Sequence, residues 1–371
     1  MTEPQPAPAT DPAEGVGGLA TPVRLAEDPD AVLHPGDALD VLPRLAAASV
    51  HAVITDPPYG IGMDTWDEPA AFTRIAGERG IALDGHGGAL EGFRAWTRAW
   101  AEQASRVLKP GGWLVCFGGS RTWHHTALGI EQAGYQVKDQ IAWLYTSGVP
   151  KSLDVSNAID QHLGHPRPDR RICKPRDGLL RGRRVADKGQ PATMEARRWA
   201  GWGTALAPAF EPIIVARAPT GLTVAANVLA HGAGAVNTAA GTERGGGRWP
   251  KNAALDHGAA MSLDRDCAVR PGDRSGLFPV FRHHQKATQA ERPVVGGAAH
   301  QTVKPLGLMR WLCALFCPPG GTVLDPFAGT GTTLEAARET GADSVGVELD
   351  PINQSLIQVR LDDASRARPM L

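Results

Sequence analysis

The chain has no apolar run approaching the roughly 18 residues that a membrane-spanning helix needs. Met1 to Thr21 is rich in Pro, Ala and Gly, carries acids and contains no apolar core of a secretory signal. It reads as a disordered tail. Cysteine is scarce. The five residues at 116, 173, 267, 313 and 317 include no C-x-x-C pair, which argues against a zinc site or disulfide framework and for free thiols in a reducing cytosol. The His124-His125 and His283-His284 pairs have no ligand partners nearby in sequence, so no metal is expected. No internal repeat of solenoid or propeller period is present. The net charge of −1 is too small for a protein that coats nucleic acid by bulk attraction.

What is present is globular. Of 371 residues, 42% are hydrophobic and 21% charged, enough to bury a sizeable core. The length suggests two compact units or one large domain with an insertion. The 44 Gly and 30 Pro call for long ordered loops. The small net charge hides a segregation. Residues 1–50 carry a net −6, 51–160 a net −3 and 301–371 a net −2, whereas 161–300 hold 21 basic and 11 acidic side chains, net +10, and seven of the twelve His. One basic segment between acidic flanks is the footprint of a surface facing a polyanion. An Arg-rich solvated insertion reads the same way, and Arg outnumbers Lys 30 to 8 throughout.

Three blocks alternate strand and helix. In 31–60, a short apolar run at Ala31 to His34 precedes the turn Gly36-Asp37, a helical stripe at Leu39, Leu42 and Leu45, and a buried strand at Val50 to Thr55. In 89–146, Phe93, Trp96, Trp100 and Val107 mark a helix and Lys109-Pro110-Gly111-Gly112 a turn. Trp113 to Phe117 then reads as strand, His125 to Ala133 as helix and Val137 to Leu144 as strand. In 302–361, Leu306, Met309 and Leu315 form a helix face, Val323-Leu324 a strand, Thr332 to Glu339 a helix and Val345 to Val347 a strand, and Pro351 opens a last helix. This alternation predicts an α/β fold, a doubly wound, mostly parallel sheet. The rhythm is lost over 161–300, where a strand at Glu211 to Ala216 is the clearest element. The expected divisions are a tail at 1–30, core halves at 31–160 and 301–371, and a basic insertion at 161–300.

The strongest local signal is Thr55-Asp56-Pro57-Pro58-Tyr59-Gly60, directly after a buried strand. Two prolines remove two backbone donors and force an extended turn. The Asp56 carboxylate and the Pro57 carbonyl can then both face out of the strand's C-terminal end, where open α/β sheets bind ligands. Two acceptors beside an aromatic ring suit a planar amine that donates two hydrogen bonds while its ring stacks on Tyr59. An exocyclic amine of adenine or cytosine fits. Alone, the four residues are equally an ordinary strand-ending turn.

The second signal is Asp325-Pro326-Phe327-Ala328-Gly329-Thr330-Gly331-Thr332, a strand running into a Gly-rich turn and a helix. Glycine lets a ligand approach the backbone. Glu348 ends the next strand, where an acid can accept from ribose hydroxyls. The full G-x-G-x-x-G and G-K-[ST] patterns are absent, so a nucleoside without phosphates fits better than a dinucleotide or a nucleotide. S-adenosylmethionine is such a cofactor. The third signal, His300-Gln301-Thr302-Val303-Lys304-Pro305, says little on its own.

Together these motifs resemble those of the amino-group DNA methyltransferases, which methylate N6 of adenine or N4 of cytosine. D-P-P-Y is that family's catalytic motif, D-P-F-x-G-x-G its S-adenosylmethionine motif, and T-x-K-P precedes the latter. The order here, catalytic motif first, is that of the β class, a circular permutation of the usual Rossmann-like methyltransferase domain. The resemblance also rests on Gly36-Asp37, on Leu108-Lys109-Pro110-Gly111-Gly112 and on Gly346-Val347-Glu348-Leu349-Asp350-Pro351. A softer match to phage and actinobacterial members lies in Trp202-Gly203-Thr204-Ala205-Leu206 and Gly247-Arg248-Trp249-Pro250.

The resemblance implies that Asp56 and Pro57 bind the target amine, with Pro58 completing the catalytic turn and Tyr59 stacking on a flipped base. It implies that Phe327, Gly329, Gly331 and Thr332 line the cofactor pocket, that Glu348 takes the ribose hydroxyls and Asp37 the adenine, and that Lys304 and Pro305 border the methionine carboxylate. Asp325 ends its strand beside this pocket, in a binding or a structural role. The basic insertion would be the target-recognition region, with Arg170-Arg171, Arg181, Arg183-Arg184 and Arg197-Arg198 as phosphate contacts or surface. Trp96, Trp100 and Trp113 read as core, whereas Trp143 and Trp66 lie closer to the presumed site in sequence. The activity implied is transfer to adenine N6, because cytosine members more often carry Ser in place of Asp56. The alternatives are cytosine N4, or an RNA or protein-glutamine target. The substrate would be double-stranded DNA, in the cytoplasm of a bacterium or under a phage genome, at the nucleoid and away from membranes. A homodimer and a separate restriction endonuclease are the partners left open.

Overall fold

A computed structural model of the chain describes residues 21–27, 29–62, 65–85, 88–146, 148, 152–167, 170–176, 179–187, 189–241, 249–266, 278, 280–281 and 303–366. Twelve strands occur in them: β1 (Val23–Glu27), β2 (Asp30–Pro35), β3 (Val50–Thr55), β4 (Leu108–Phe117), β5 (Gln136–Leu144), β6 (Arg170–Arg176), β7 (Leu179–Asp187), β8 (Phe210–Arg217), β9 (Ala253–Asp256), β10 (Val280–Phe281), β11 (Thr322–Asp325) and β12 (Asp343–Glu348). The helices are α1 (Ala38–Val41), α2 (Pro69–Glu78), α3 (Glu91–Val107), α4 (Trp123–Gln132), α5 (Val155–His162), α6 (Met194–Arg198), α7 (Val224–His231), α8 (His257–Asp266), α9 (Leu306–Phe316), α10 (Thr332–Glu339) and α11 (Pro351–Arg366).

The chain divides into two compact units, one of residues 1–143 with 211–371 and one of 144–210. The first carries a ten-stranded sheet in the order β1-β2-β12-β11-β3-β4-β8-β5-β9-β10. Its centre, from β2 through β12, β11 and β3 to β4, is parallel. Such strands are covered on both faces and read as continuous apolar runs. In β3 every residue but His51 is buried. Val53 joins the cluster formed by Phe93, Trp96 and Trp100 of α3 with Leu114 and Cys116 of β4. By the two-residue period of a strand, Ala52 and Ile54 face the opposite side. The Trp113 ring of β4 meets Phe316 of α9 there, with centroids 5.6 Å apart. Trp96 and Trp100 are buried, and truncating Trp100 would lose about 3–5 kcal/mol.

Parallel pairing gathers the strand ends. Thr55 lies opposite Cys116 of β4, and Glu348 of β12 opposite Pro35 of β2. The C-terminal ends of β2, β3, β11 and β12 therefore share one edge of the sheet. β8 runs antiparallel to β4, pairing Phe117 with Ile213. This reversal delivers the start of β8, and so Glu211, to that same edge.

Several elements differ from the sequence reading. Val23–Glu27 forms β1, antiparallel to β2, so a tail extending to residue 30 is corrected at these positions; residues 1–20 lie outside the described ones. Lys109 to Gly112, read as a turn, belongs to β4, where a register shift between Val50 and Ala52 absorbs the extra residues. Helix α2 was not anticipated, although Pro69 at its first position is a start signal.

In the second unit, Asp154 and Thr193 cap α5 and α6 by accepting the Asn157 and Ala196 backbone N–H groups. β6 and β7 form an antiparallel hairpin. The buried Asp160 carboxylate accepts from Arg167 Nε (2.5 Å), from the Ala192 and Thr193 backbone (2.9 and 3.0 Å) and from Thr193 Oγ1 (2.7 Å). That hub fixes a stretch exposing Met194, Trp199, Trp202 and Leu206, the two indoles packed edge to face at 5.3 Å.

Candidate active site

The turn after β3 begins with Asp56, 26% exposed at its side chain. The Tyr59 hydroxyl donates to Asp56 Oδ1 at 2.6 Å. Lys304, just before α9, places its ammonium 3.0 Å from Asp56 Oδ2, 3.0 Å from the Tyr59 oxygen and 2.9 Å from Glu211 Oε2. The same ammonium lies 4.8 Å from the centre of the Phe117 ring, at the end of β4. One cation thus joins two carboxylates and a phenol contributed by two other segments, the turn after β3 and the start of β8.

Charge and burial set the protonation states. Burial, with the Asp56 and Glu211 carboxylates adding to it, pushes the Tyr59 phenol well above its ordinary value, so it stays protonated. Burial alone would lower Lys304, but the two carboxylates outweigh it and hold the amine charged. Each Asp56 oxygen has spent one lone pair on Tyr59 or Lys304 and keeps another. The carboxylate can therefore still accept from an incoming amine.

The turn itself is held from below. Asp67, 1% exposed, accepts from the backbone of Gly60 at 2.7 Å and of Ile61 at 3.2 Å. Thr122 donates to the Tyr59 carbonyl at 2.6 Å. Pro57 is buried, Pro58 partly so.

Beside this cluster, β11 runs into the glycine turn. Asp325 is 2% exposed and its Oδ1 accepts from Thr55 Oγ1 (2.7 Å) and from the Phe327 backbone (3.1 Å). Burial raises its carboxyl to about 6. These contacts tie the ends of β11 and β3 together. The Phe327 ring turns toward the core, 5.3 Å from Trp96 and 5.5 Å from Trp100. Gly329 and Gly331 adopt φ of +54° and +80°, where a side chain is strained. A Cβ on Gly331 would also sit 3.1 Å from Ile357, whereas one on Gly329 would meet nothing nearer than the Phe327 carbonyl at 4.0 Å. Thr332 is buried at the first position of α10. Glu348 Oε2 accepts from Gly329 N at 2.7 Å and Oε1 from Asp350 N at 2.8 Å, and burial lifts its carboxyl to about 6.

Asp37 caps α1 through Leu39 N at 2.8 Å and pairs with Arg79 at 2.9 Å. Pro305 is buried directly before α9. The structure thus brings Asp56, Tyr59 and Lys304 into contact, and separately Glu348 with Gly329. Lys304, read from sequence as a cofactor-side residue, is bound to Asp56. Trp143 is 3% exposed. Thr302, the Trp66 side chain and the side chains of Arg170, Arg171, Arg181, Arg183 and Arg184 lie outside the described residues, whereas Arg197 and Arg198 are exposed. Among the described residues no three His, Cys, Asp or Glu side chains form a metal-holding group, and no helix is long and apolar enough to cross a membrane.

Sequence reasoning missed Glu211 and Asp67. For Asp67 no local pattern exists. For Glu211 the only hint was its place at the start of an expected strand.

Against known proteins, residues 50–358 match the family model for the N6/N4 DNA methylases. The chain is 27% identical over 338 residues to the Type II methyltransferase M.HindIII of Haemophilus influenzae, covering 85% of this chain and 90% of that one. It is 28% identical over 130 residues to the Type II methyltransferase M.HpaI of Haemophilus parainfluenzae, covering 34% and 36%. Among solved structures, the cytosine-N4-specific PvuII DNA methyltransferase aligns over 91% of both chains with 12% identity and a TM-score of 0.46.

Proposed function

The chain belongs to the N6/N4 DNA methylase family, and from that premise we propose that it is a site-specific enzyme methylating N6 of adenine in an extruded base, with S-adenosylmethionine as methyl donor. The observation that carries this reading is the placement of Asp56 and Tyr59 at the sheet edge that also holds Glu348 and the glycine turn. Asp rather than Ser at position 56 favours adenine.

The residues present fit the donor. The space over Gly329 is open where a Cβ would project, and Glu348 Oε2 keeps one lone pair beyond its contact with Gly329 N, as a ribose hydroxyl requires, while Oε1 is engaged by Asp350 N at 2.8 Å and Asn353 Nδ2 at 3.4 Å. When bound, S-adenosylmethionine supplies a methyl group on a positively charged sulfur. The chain's own contribution is alignment. Gly329, Gly331 and Thr332 shape the floor of that pocket, with Asp37, Phe327 and Pro305 around it, and Asp325 locks the floor to β3 through Thr55. Asp56 and the Pro57 carbonyl accept the two N–H bonds of the target amine, and Tyr59 stacks on its ring. Those hydrogen bonds draw the nitrogen toward a pyramidal shape and expose its lone pair. A duplex hides that amine, so extrusion costs a few kcal/mol. The unit of residues 144–210, within or beside the basic stretch, is the candidate for DNA recognition, through phosphate contacts from Arg197 and Arg198 and the exposed indoles.

Long-read sequencing of DNA from cells expressing the protein, beside an Asp56→Ala control, tests this reading. Methyladenine at a defined sequence, absent from the control, is expected. Methylcytosine would replace the adenine assignment with cytosine N4 at the same residues. Unmodified DNA from a folded protein would overturn DNA methylation as the activity of this site.

A further inference from the structure

We propose that Glu211 is a positioning residue that sets the charge of the amine pocket: it takes up the Lys304 ammonium so that the pocket around Asp56 keeps one net negative charge. The inference rests on the methyl-transfer reading above and concerns a residue which that reading does not use.

The geometry is a shared cation. Lys304 Nζ is 3.0 Å from Asp56 Oδ2 and 2.9 Å from Glu211 Oε2, and the three side chains are only 13%, 26% and 23% exposed. With Lys304 alone beside it, Asp56 would form a neutral pair. With Glu211 included, two carboxylates face one ammonium, and the sum is −1. The Tyr59 phenol, held protonated, adds hydrogen bonds but no charge. Phe117 closes another side of the ammonium with a ring face, which favours a cation there.

The reaction at the amine needs that imbalance. As the nitrogen lone pair forms the N–C bond, the bond from methyl to sulfur breaks and its electron pair stays on sulfur. The positive charge passes to the nitrogen, and the amine proton then leaves by way of Asp56 to water. A pocket with a fixed net negative charge is complementary to that charged nitrogen, and more so than to the neutral starting amine. A neutral pocket lacks this discrimination. Glu211 acts through Lys304 and need not touch the base. Its position follows from topology: antiparallel β8 starts where parallel β4 ends, so the sheet reversal inserts a carboxylate at the ligand edge.

The test uses Glu211→Gln, which keeps the shape and the oxygen facing Lys304 but removes the charge, and Glu211→Asp, which keeps the charge. The full-length protein is used with a duplex carrying its mapped recognition sequence. We expect Glu211→Gln to lower the single-turnover methylation rate about 100-fold with little change in duplex affinity, and Glu211→Asp to remain within about tenfold of the parent. A second readout needs no methyl donor. A duplex carrying 1-methyladenine at the target presents a cationic base at neutral pH. The parent's preference for that duplex over the adenine duplex should drop about tenfold in Glu211→Gln and persist in Glu211→Asp. A Glu211→Gln protein within about threefold of the parent in rate and in this preference, or a loss shared equally by both variants, overturns the proposal. A parent enzyme that leaves DNA unmethylated overturns the functional reading itself, which separates the two failures.

Discussion

Replacing Lys304 by Met keeps much of the side-chain volume and removes the one cation between Asp56 and Glu211. Each lost contact, at 3.0 and 2.9 Å, corresponds to about 6 kcal/mol at an effective dielectric near 20. Much of that is offset by the desolvation of an ammonium only 13% exposed. What remains is the penalty of leaving two carboxylates facing each other across an apolar stem, on the order of 3 kcal/mol. For a unit of this size the melting midpoint should fall by on the order of 5 °C at pH 8. The sign of the pH dependence follows from the repulsion. In the variant it raises the folded-state affinity of the pair for a proton above that of the unfolded chain. The variant is therefore closest to the parent below the ordinary carboxyl range, and the deficit opens as pH rises through it. Thermal melts at pH 5 and pH 8, without ligand, would show a gap that widens with pH. Adding Glu211→Gln to Lys304→Met should close part of it by removing one repelling charge. Equal melting of parent and Lys304→Met at both pH values, or a deficit that does not change with pH, would refute the shared-cation account.

Glu348 offers a second titration. Burial raises its carboxyl from the ordinary 4.5 to about 6, so in the free protein it contributes stability below the ordinary carboxyl range that is lost as pH rises through about 6. Only the ionised form accepts fully from ribose hydroxyls, so calorimetry should show S-adenosylmethionine binding tightening as pH passes about 6 and a weaker, flat profile in Glu348→Gln, lower by about 10- to 100-fold at pH 8. In the other unit, Trp202 is 61% exposed and edge-packed on Trp199. Trp202→Ala should weaken target-duplex binding about tenfold in anisotropy titrations while leaving the melting midpoint unchanged.

How much of this was legible in sequence depended on whether the determinant was local. β3, β11 and β12 are short apolar runs ending in punctuation, Asp56-Pro57-Pro58 for β3 and Asp325-Pro326 for β11, and buried parallel strands must be apolar throughout. Helices α3 and α10 carry a period that one face of a sheet demands. Where a turn signal competed with sheet pairing, pairing won: Gly111 has φ +70° yet lies within β4. α2 is one short amphipathic helix whose start signal, Pro69, was overlooked. The chemistry was half visible. Asp56 and Tyr59 announce each other across three residues, but Glu211 meets Lys304 across 93 and Tyr59 meets Lys304 across 245. No spacing rule reaches that far, and the Glu211 contact follows from the antiparallel run of β8 in the sheet. The motif places Phe327 beside the glycine turn, but the packing of its ring onto Trp96 and Trp100 is a long-range contact that no local pattern announces.

The pairing of β3 with β11 has a consequence for how the protein is made. Thr55 reaches Asp325 across 270 residues, so the two strands that flank the reacting centre are synthesised far apart in time. At about 5–20 residues per second, β3 leaves the ribosome roughly a quarter to a full minute before its partner exists. One side of β3 is soon covered by β4, but the other waits as an open strand edge, apolar on both faces, the kind of surface that recruits foreign strands. A nascent chain is thus most exposed to misassembly in the interval before β11 emerges, and the same segment that closes the edge brings Glu348 and the glycine turn. Closure of the sheet and completion of the proposed active site are one event, so a chain without β11 and β12 lacks both the buried centre and the residues proposed to hold the methyl donor.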